Sequence, residues 1–333
     1  LPSTVSIIIC TADRPNSLKQ TLDSLAQVDL PADITAEVLI VDNRPNKSLA
    51  VVESVDLSPV TLRYIPETRC GLTFARNTGL SQSTGDIIAF TDDDIRFRVD
   101  WIEKLTAPIL SGEADAVAGA IAIAPHLMRH WMRDIHRSFL AEMDGFEPTG
   151  HLSMVGANMA FSRKVLCKLS GFDVNLGAGR LGFVDDGLFS EQLVAEGFKL
   201  TFCPEAEVEH HFDPSRLTRQ SLLEHARGIG RSEAYVAHHW RHRTIFAPKL
   251  HALRKKLALS LWRLSHRAAT KIDEGCFEEE IYTVIAQNFY SHYAAIRQEP
   301  RIYQRQGFRP VGRTTVGEFY RSIKDSMSKG SAT

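Results

Sequence analysis

The chain has 333 residues, of which 44% are hydrophobic and 24% charged. That mix supplies a substantial core and excludes disordered chains and disulfide-dependent miniature folds. The 39 Lys and Arg residues nearly balance the 40 Asp and Glu residues, for a formal net charge of -1; a nucleic-acid partner is therefore not expected. The length fits about two average domains. Cys10, Cys70, Cys167, Cys203 and Cys276 include no Cys-x-x-Cys pair, and an odd, scattered set predicts reduced thiols in a cytoplasmic protein. The longest purely small-and-apolar run, Ala116 to Ala124, is too short to cross a bilayer of about 30 Å and reads as a buried strand. The chain opens at Leu1 without a charged-then-apolar leader pattern.

Strand and helix signals alternate through the first two hundred or so residues. Val5 to Cys10 is a β-branched run that ends in Thr11-Ala12-Asp13-Arg14-Pro15. Pro15 opens a helix with Leu18, Leu22 and Leu25 on one stripe. Glu37 to Val41 is a second strand closed by Asp42-Asn43, and Thr61 to Ile65 a third. Gly71 to Ser81 reads as a helix, and Ile87 to Phe90 as a strand that stops at Thr91-Asp92-Asp93-Asp94. Such alternation predicts an α/β fold with a mostly parallel sheet and helices on both faces. Ligands of such sheets bind at the carboxyl ends of the strands, where these polar clusters would gather.

Residues 126 to 150 lack clear periodicity and suggest a variable connection. Met154 to Phe161 reads as a strand with a helix from Arg163, and a glycine-rich stretch then leads to Asp185-Asp186 and a further helix. From Thr218 onward the signal is almost entirely helical.

Adjacent carboxylates at Asp92, Asp93 and Asp94 repel one another unless a cation or hydrogen-bond donors offset them. A hard divalent ion prefers such oxygens and leaves coordination positions for diphosphate; the plain alternative is a solvated acidic turn. Arg76, in a small-residue helix, offers a fork for phosphate or carbonyl oxygens, or is simply an exposed charge. Of Asp185 and Asp186, one can act as a base and the other cap the helix. His210 and His211 are imidazole ligands if the fold brings them near Asp94. His238, His239 and His242 have helical spacing, with a solvated helix face as the simpler reading.

Taken in order, Val5 to Thr11, Val41-Asp42-Asn43, Gly71 to Leu80, Phe90 to Asp94, Gly156 to Phe161, Gly171-Phe172-Asp173, Asp185-Asp186 and Ala206 to His210 resemble glycosyltransferase family 2. The resemblance covers roughly residues 4 to 230. It implies the GT-A fold, with a catalytic domain over 1–235 (a nucleotide-sugar half to about 125, then an acceptor half) and a helical region over 236–333. It also implies an inverting, hexosyl-type transferase dependent on Mn²⁺ or Mg²⁺. Thr11 and Asp42 would hold the base and ribose, with Arg76 near the base or diphosphate. Asp92 would face the ribose, and Asp94 and His210 the metal, Asp93 lying within the same Asp-x-Asp element. Asp186 would be the general base. Asn158 and Asp185 would border the donor sugar and acceptor. Asp13 and Asp185 depart from the family's commoner residues, and His211 is an alternative to His210.

The implied partners are a nucleotide-sugar donor, UDP-sugars favoured, and a saccharide or lipid-linked acceptor. A metal-dependent nucleotidyltransferase is a rival reading, although no glycine-rich phosphate loop follows the first strand; a non-catalytic carbohydrate-binding or scaffold protein is another. Leu250, Leu253, Leu257, Leu261 and Leu264 form one stripe of a basic helix. The simpler expectation packs it on the catalytic domain or another subunit, as in a homo-oligomer. The other places it at the inner face of the cell membrane as a peripheral contact.

Overall fold

The computed structural model describes residues 3–45, 48–143 and 152–303. The chain divides into two compact units.

The first unit comprises Leu1–Leu127, Ala141–Arg180 and Asp185–His211. Strand β1 (Ser3–Thr11) pairs in parallel with β2 (Ile34–Asp42) and β4 (Ile87–Asp92), and β2 pairs in parallel with β3 (Thr61–Pro66). Alternate residues of β1 enter separate cores. Ile7 and Ile9 join Leu18, Leu22 and Leu25 of α1 (Pro15–Leu25), while Ile8 and Cys10 join Ala75 and Leu80 of α3 (Leu72–Gln82). A strand covered on both faces reads as a near-continuous apolar run, which is why Val5 to Cys10 does not alternate, its one polar residue, Ser6, being buried and bonded to Glu37. Between β2 and β3 lies the short α2 (Leu49–Glu53). The register sets Thr11 opposite Asp42, and Cys10 opposite Asp92. The carboxyl ends therefore form one rim, as expected for a parallel sheet.

Beyond β4 the pairing changes sense. The described strands run β3-β2-β1-β4-β7-β6-β8-β5, with β5 (Ile95–Phe97), β6 (Ala116–Ile123), β7 (Asn158–Ser162) and β8 (Leu200–His210). β7 is antiparallel to β4 and β6, β8 is parallel to β6, and β5 closes the edge antiparallel to β8. Helices α4 (Trp101–Leu110) and α6 (Asp185–Ala195) complete the unit. Ile95 faces His210 across the ladder, so the end of β8 returns beside Asp94.

Two expectations change here. The strand expected from Met154 begins only at Asn158, because a turn at Gly156-Ala157 intervenes and Asn158 N–H closes on Val155 carbonyl at 3.0 Å. The helix expected from Arg163 is a short 3-10 turn, Arg163–Cys167. Of the segment expected to be a variable connection, 144–151 lies outside the described residues; the described part includes α5 (Asp134–Phe139).

The second unit takes Met128–Leu140, Leu181–Val184 and the chain from Phe212 onward. This compact unit takes in the chain on both sides of residue 235. The physical reason lies in α7 (Arg219–His239), which packs on α9 (Glu278–Ile296). Leu222, Leu223 and Ala226 share a core with Ile281, Val284 and Ile285. At the closest approach a Cβ on Gly230 would lie 2.5 Å from the Ile285 carbonyl oxygen, so no larger residue fits.

The solvated-face reading of the late histidines is also overturned. His238 and His239 are buried. His238 Nε2 lies 3.0 Å from the Glu299 carbonyl, and His242 Nε2 lies 2.8 Å from that of Tyr303. These rings hold the segment after α9, which satisfies carbonyls that would otherwise be left bare. Among the described residues the leucine stripe of α8 (Pro248–Ser265) is exposed, and of the helix's leucines only Leu259 is buried.

Candidate active site

Asp92, Asp93 and Asp94 follow from β4 into the tight link to β5, and Asp93 and Asp94 are almost fully buried. Burial raises the carboxyls of Asp92 and Asp93 above the usual range, that of Asp93 to about 7. Thr11 Oγ1, at the end of β1, donates to Asp93 Oδ2 at 2.5 Å. Arg14 forks across the pair, with its guanidinium 2.5 Å from Asp93 Oδ1 and 2.8 Å from Asp94 Oδ2. The sequence reading missed Arg14. Its signal was a basic residue between a strand's carboxyl end and Pro15, opposite an acidic cluster.

His210 Nε2 lies 3.4 Å from Asp94 Oδ1, both side chains being buried. His211, its neighbour, is turned away: its Nε2 is 3.0 Å from Glu209 Oε2 and its ring lies 5.4 Å from that of His126. Successive residues of a strand point to opposite faces, so only one histidine can meet Asp94.

The second acidic pair starts α6. Asp185 is buried and ion-paired with Arg76 of α3, itself buried and lying over the Phe172 ring at 5.3 Å. Burial raises the proton affinity of Asp185, and Arg76 opposes it. Asp186 is only half-buried; its Oδ2 accepts from Gly156 N–H at 3.0 Å and its Oδ1 from Gly187 N–H at 2.9 Å. Gly156 is needed for a second reason. A Cβ there would lie 1.6 Å from the Arg76 guanidinium. Arg76 also feels Asp186 and Asp92, so one buried cation links the two acidic groups.

Several expected ligand contacts are occupied by internal ones. Asp42 is fully buried: its Oδ1 accepts from Arg44 N–H at 2.9 Å, and its Oδ2 from Ser48 N–H and the Tyr64 hydroxyl, each at 3.0 Å. Asn158 is fully buried too. It donates to the Ala120 and Ala206 carbonyls at 2.8 and 2.7 Å and accepts from Trp101 Nε1 at 3.0 Å. The Asn158 side chain thus cross-links β6, α4 and β8. Asp13 is exposed with φ of 59° at the turn out of β1.

The donor set fits a hard divalent ion. The five aspartates of the two clusters are faced by two guanidiniums, Arg14 and Arg76, and a bound cation would favour the ionised carboxylates that burial opposes at Asp92, Asp93 and Asp185. Among the described residues no group of three or more His, Cys, Asp or Glu side chains forms a metal cage. Asp94 and His210 would supply only part of a coordination shell. That suits Mg²⁺ or Mn²⁺, which usually keeps positions for phosphate oxygens and water.

Residues 6–169 match glycosyl transferase family 2. The match takes in just under half of the chain and supports a family 2 glycosyltransferase. The chain is a glycosyltransferase, which sets aside the nucleotidyltransferase and scaffold readings. The succinoglycan biosynthesis protein ExoM of Rhizobium meliloti is 29% identical over 77% of this chain and 80% of its own. The glucosyl-dolichyl phosphate glucuronosyltransferase of Haloferax volcanii is 30% identical over 52% of this chain and 57% of its own. Among solved structures, a mannosyltransferase from Pyrobaculum calidifontis in complex with GDP-Man and Mn²⁺ superposes with a TM-score of 0.57 at 17% identity. That likeness covers 90% of this chain and 88% of the other and establishes the GT-A architecture of this glycosyltransferase.

Proposed function

We propose that this glycosyltransferase moves a sugar from a nucleotide-sugar donor, UDP-sugars favoured, to a hydroxyl of a saccharide or glycolipid acceptor by one inverting displacement. The observation that carries the reading is the unequal pair at the start of α6. Asp185 is committed to Arg76, whereas Asp186 keeps a partly exposed carboxylate oriented by two backbone N–H groups. Asp186 accepts the proton of the acceptor hydroxyl as that oxygen bonds to the anomeric carbon. The bond from that carbon to the diphosphate oxygen breaks, and the nucleoside diphosphate leaves with the electron pair. Attack opposite the leaving group inverts the centre.

Asp94 and His210 would hold a divalent ion, which when bound neutralises charge on the departing diphosphate. Arg14 and Thr11 keep Asp93 and Asp94 in place, and Arg76 joins this cluster to the base. Thr11 and Asp42 bound the rim on which base and ribose would rest. The Mn²⁺ complex of the Pyrobaculum mannosyltransferase supports the ion. The name of the Rhizobium relative supports an acceptor within polysaccharide assembly.

Calorimetric titration of UDP in Mn²⁺ and again in EDTA tests the proposal, with GDP and dTDP in parallel. Metal-dependent binding of UDP is expected. Equal binding in EDTA overturns the metal assignment, tighter binding of GDP or dTDP overturns the UDP preference, and failure of all three overturns the donor class.

A further inference from the structure

We propose that α8 is a docking helix for an anionic lipid surface, lying in the bilayer interface through its exposed leucines. At 3.6 residues per turn, Leu250, Leu253, Leu257, Leu261 and Leu264 fall within an arc of about 80°, and Leu259 lies opposite. Leu259 is 8% exposed, whereas the five stripe leucines are 47% to 67% exposed. Among the described residues the helix is therefore attached by one face. On that face Arg263 Nε bonds Glu280 Oε1 at 2.8 Å and His251 stacks on Tyr290 with centroids 4.9 Å apart. Phe246, two residues before the helix, is 89% exposed.

Charge decides what covers the stripe. α8 contains Lys249, Arg254, Lys255, Lys256 and Arg263 and no Asp or Glu. Lys249, Arg254, Lys255 and Lys256 are exposed. Arg254 follows the stripe on one side, and Lys249 and Lys256 flank the other. Long basic side chains beside an apolar arc reach headgroups while the leucines enter the acyl boundary. A second copy of the chain would bring two all-basic flanks together. The segment 304–333 carries 6 Lys and Arg and 2 Asp and Glu, so it too is repelled by this helix. An anionic bilayer is the occupant that satisfies both the apolar arc and its basic margins. This inference is independent of the donor and of the metal.

The test is co-sedimentation of the full chain with vesicles of phosphatidylcholine alone, or of phosphatidylcholine with phosphatidylglycerol. The protein is expected to sediment with the anionic vesicles, not the neutral ones, and to be released by salt. Lys249→Glu with Lys256→Glu should lower partitioning at least about 25-fold, at about fivefold per charge removed. Leu253→Gln with Leu257→Gln and Leu261→Gln should abolish it while leaving the Tm unchanged. Absence of sedimentation with anionic vesicles, or equal sedimentation with both kinds, overturns the proposal. A lowered Tm in the leucine variant overturns it in favour of cover by the chain itself. A wild-type dimer that dissociates in that variant, read by sedimentation equilibrium, overturns it in favour of a second copy.

Discussion

Arg76 and Asp185 form a buried ion pair, and the very next residue, Asp186, keeps its carboxylate half-exposed. Two adjacent aspartates therefore sit in different surroundings. Asp186→Asn should lower turnover about 10²–10⁴-fold with donor binding unchanged, the loss typical of a positioned base. Asp185→Asn should act on the fold as well, since it leaves the Arg76 guanidinium buried without its counter-charge. Urea denaturation should show a loss of about 3–5 kcal/mol. Equal stabilities of the two variants would contradict this division.

Gly156 lies where the two roles meet. Alanine there would place a methyl group against the Arg76 guanidinium, which cannot swing clear while it is paired with Asp185. Gly156→Ala should cost about 1–3 kcal/mol of stability, the usual range for overpacking. It should also lower activity by shifting the amide that holds Asp186. Unchanged stability together with wild-type turnover would show that the turn has room to relax.

The alternation at the end of β8 predicts different consequences for neighbouring histidines. Both His210→Ala and Asp94→Ala should weaken the Mn²⁺-dependent component of UDP binding, measured by calorimetry with and without EDTA. His211→Ala should leave that component intact, because its ring pairs with Glu209. The reverse ranking of the histidine variants would move the metal assignment to His211.

Stability should fall in acid through Glu37. Its carboxylate accepts from Ser6 Oγ, Thr84 N–H and Thr84 Oγ1, each at 2.7 Å, and from Arg63 at 2.8 Å. Burial acts against ionisation, but these bonds outweigh it and hold the group at about 2, below the usual 4.5. The unfolded chain therefore binds the proton first, so the contribution is full above pH 4.5 and disappears as pH falls towards 2. Glu37→Gln should remove about 2 kcal/mol of this pH-dependent stability after allowance for partial exposure. A denaturation midpoint with the same pH profile in both proteins would refute it.

Much of this architecture is legible in the order of residues. Unbroken β-branched runs signal strands buried on both faces, and the polar clusters that end them mark the rim where Thr11, Asp42 and Asp92 meet. The resemblance to family 2 also pointed to the Asp92 to Asp94 cluster, to Asp186 and to His210. Arg14 was not legible, because nothing local says that it reaches across to Asp93 and Asp94. The internal bonds of Asn158 and of the three late histidines were not legible for a related reason. Their partners are backbone carbonyls or, for His239, the Ile302 N–H, 38 to 63 residues away, and such pairs leave no periodic trace.

The sequence by itself determined the alternating strands and helices and the positions of the acidic groups, since local pattern and chain order suffice for these. Only the tertiary structure decided how the members of each adjacent pair differ: Asp186 is left partly exposed because Arg76 takes Asp185, and His210 meets Asp94 because β8 pairs with β5 in that register. It also decided that the leucine stripe of α8 faces outward. The physical reason is the same in each case. A side chain's direction depends on what the fold brings against it, and those partners are distant in the chain.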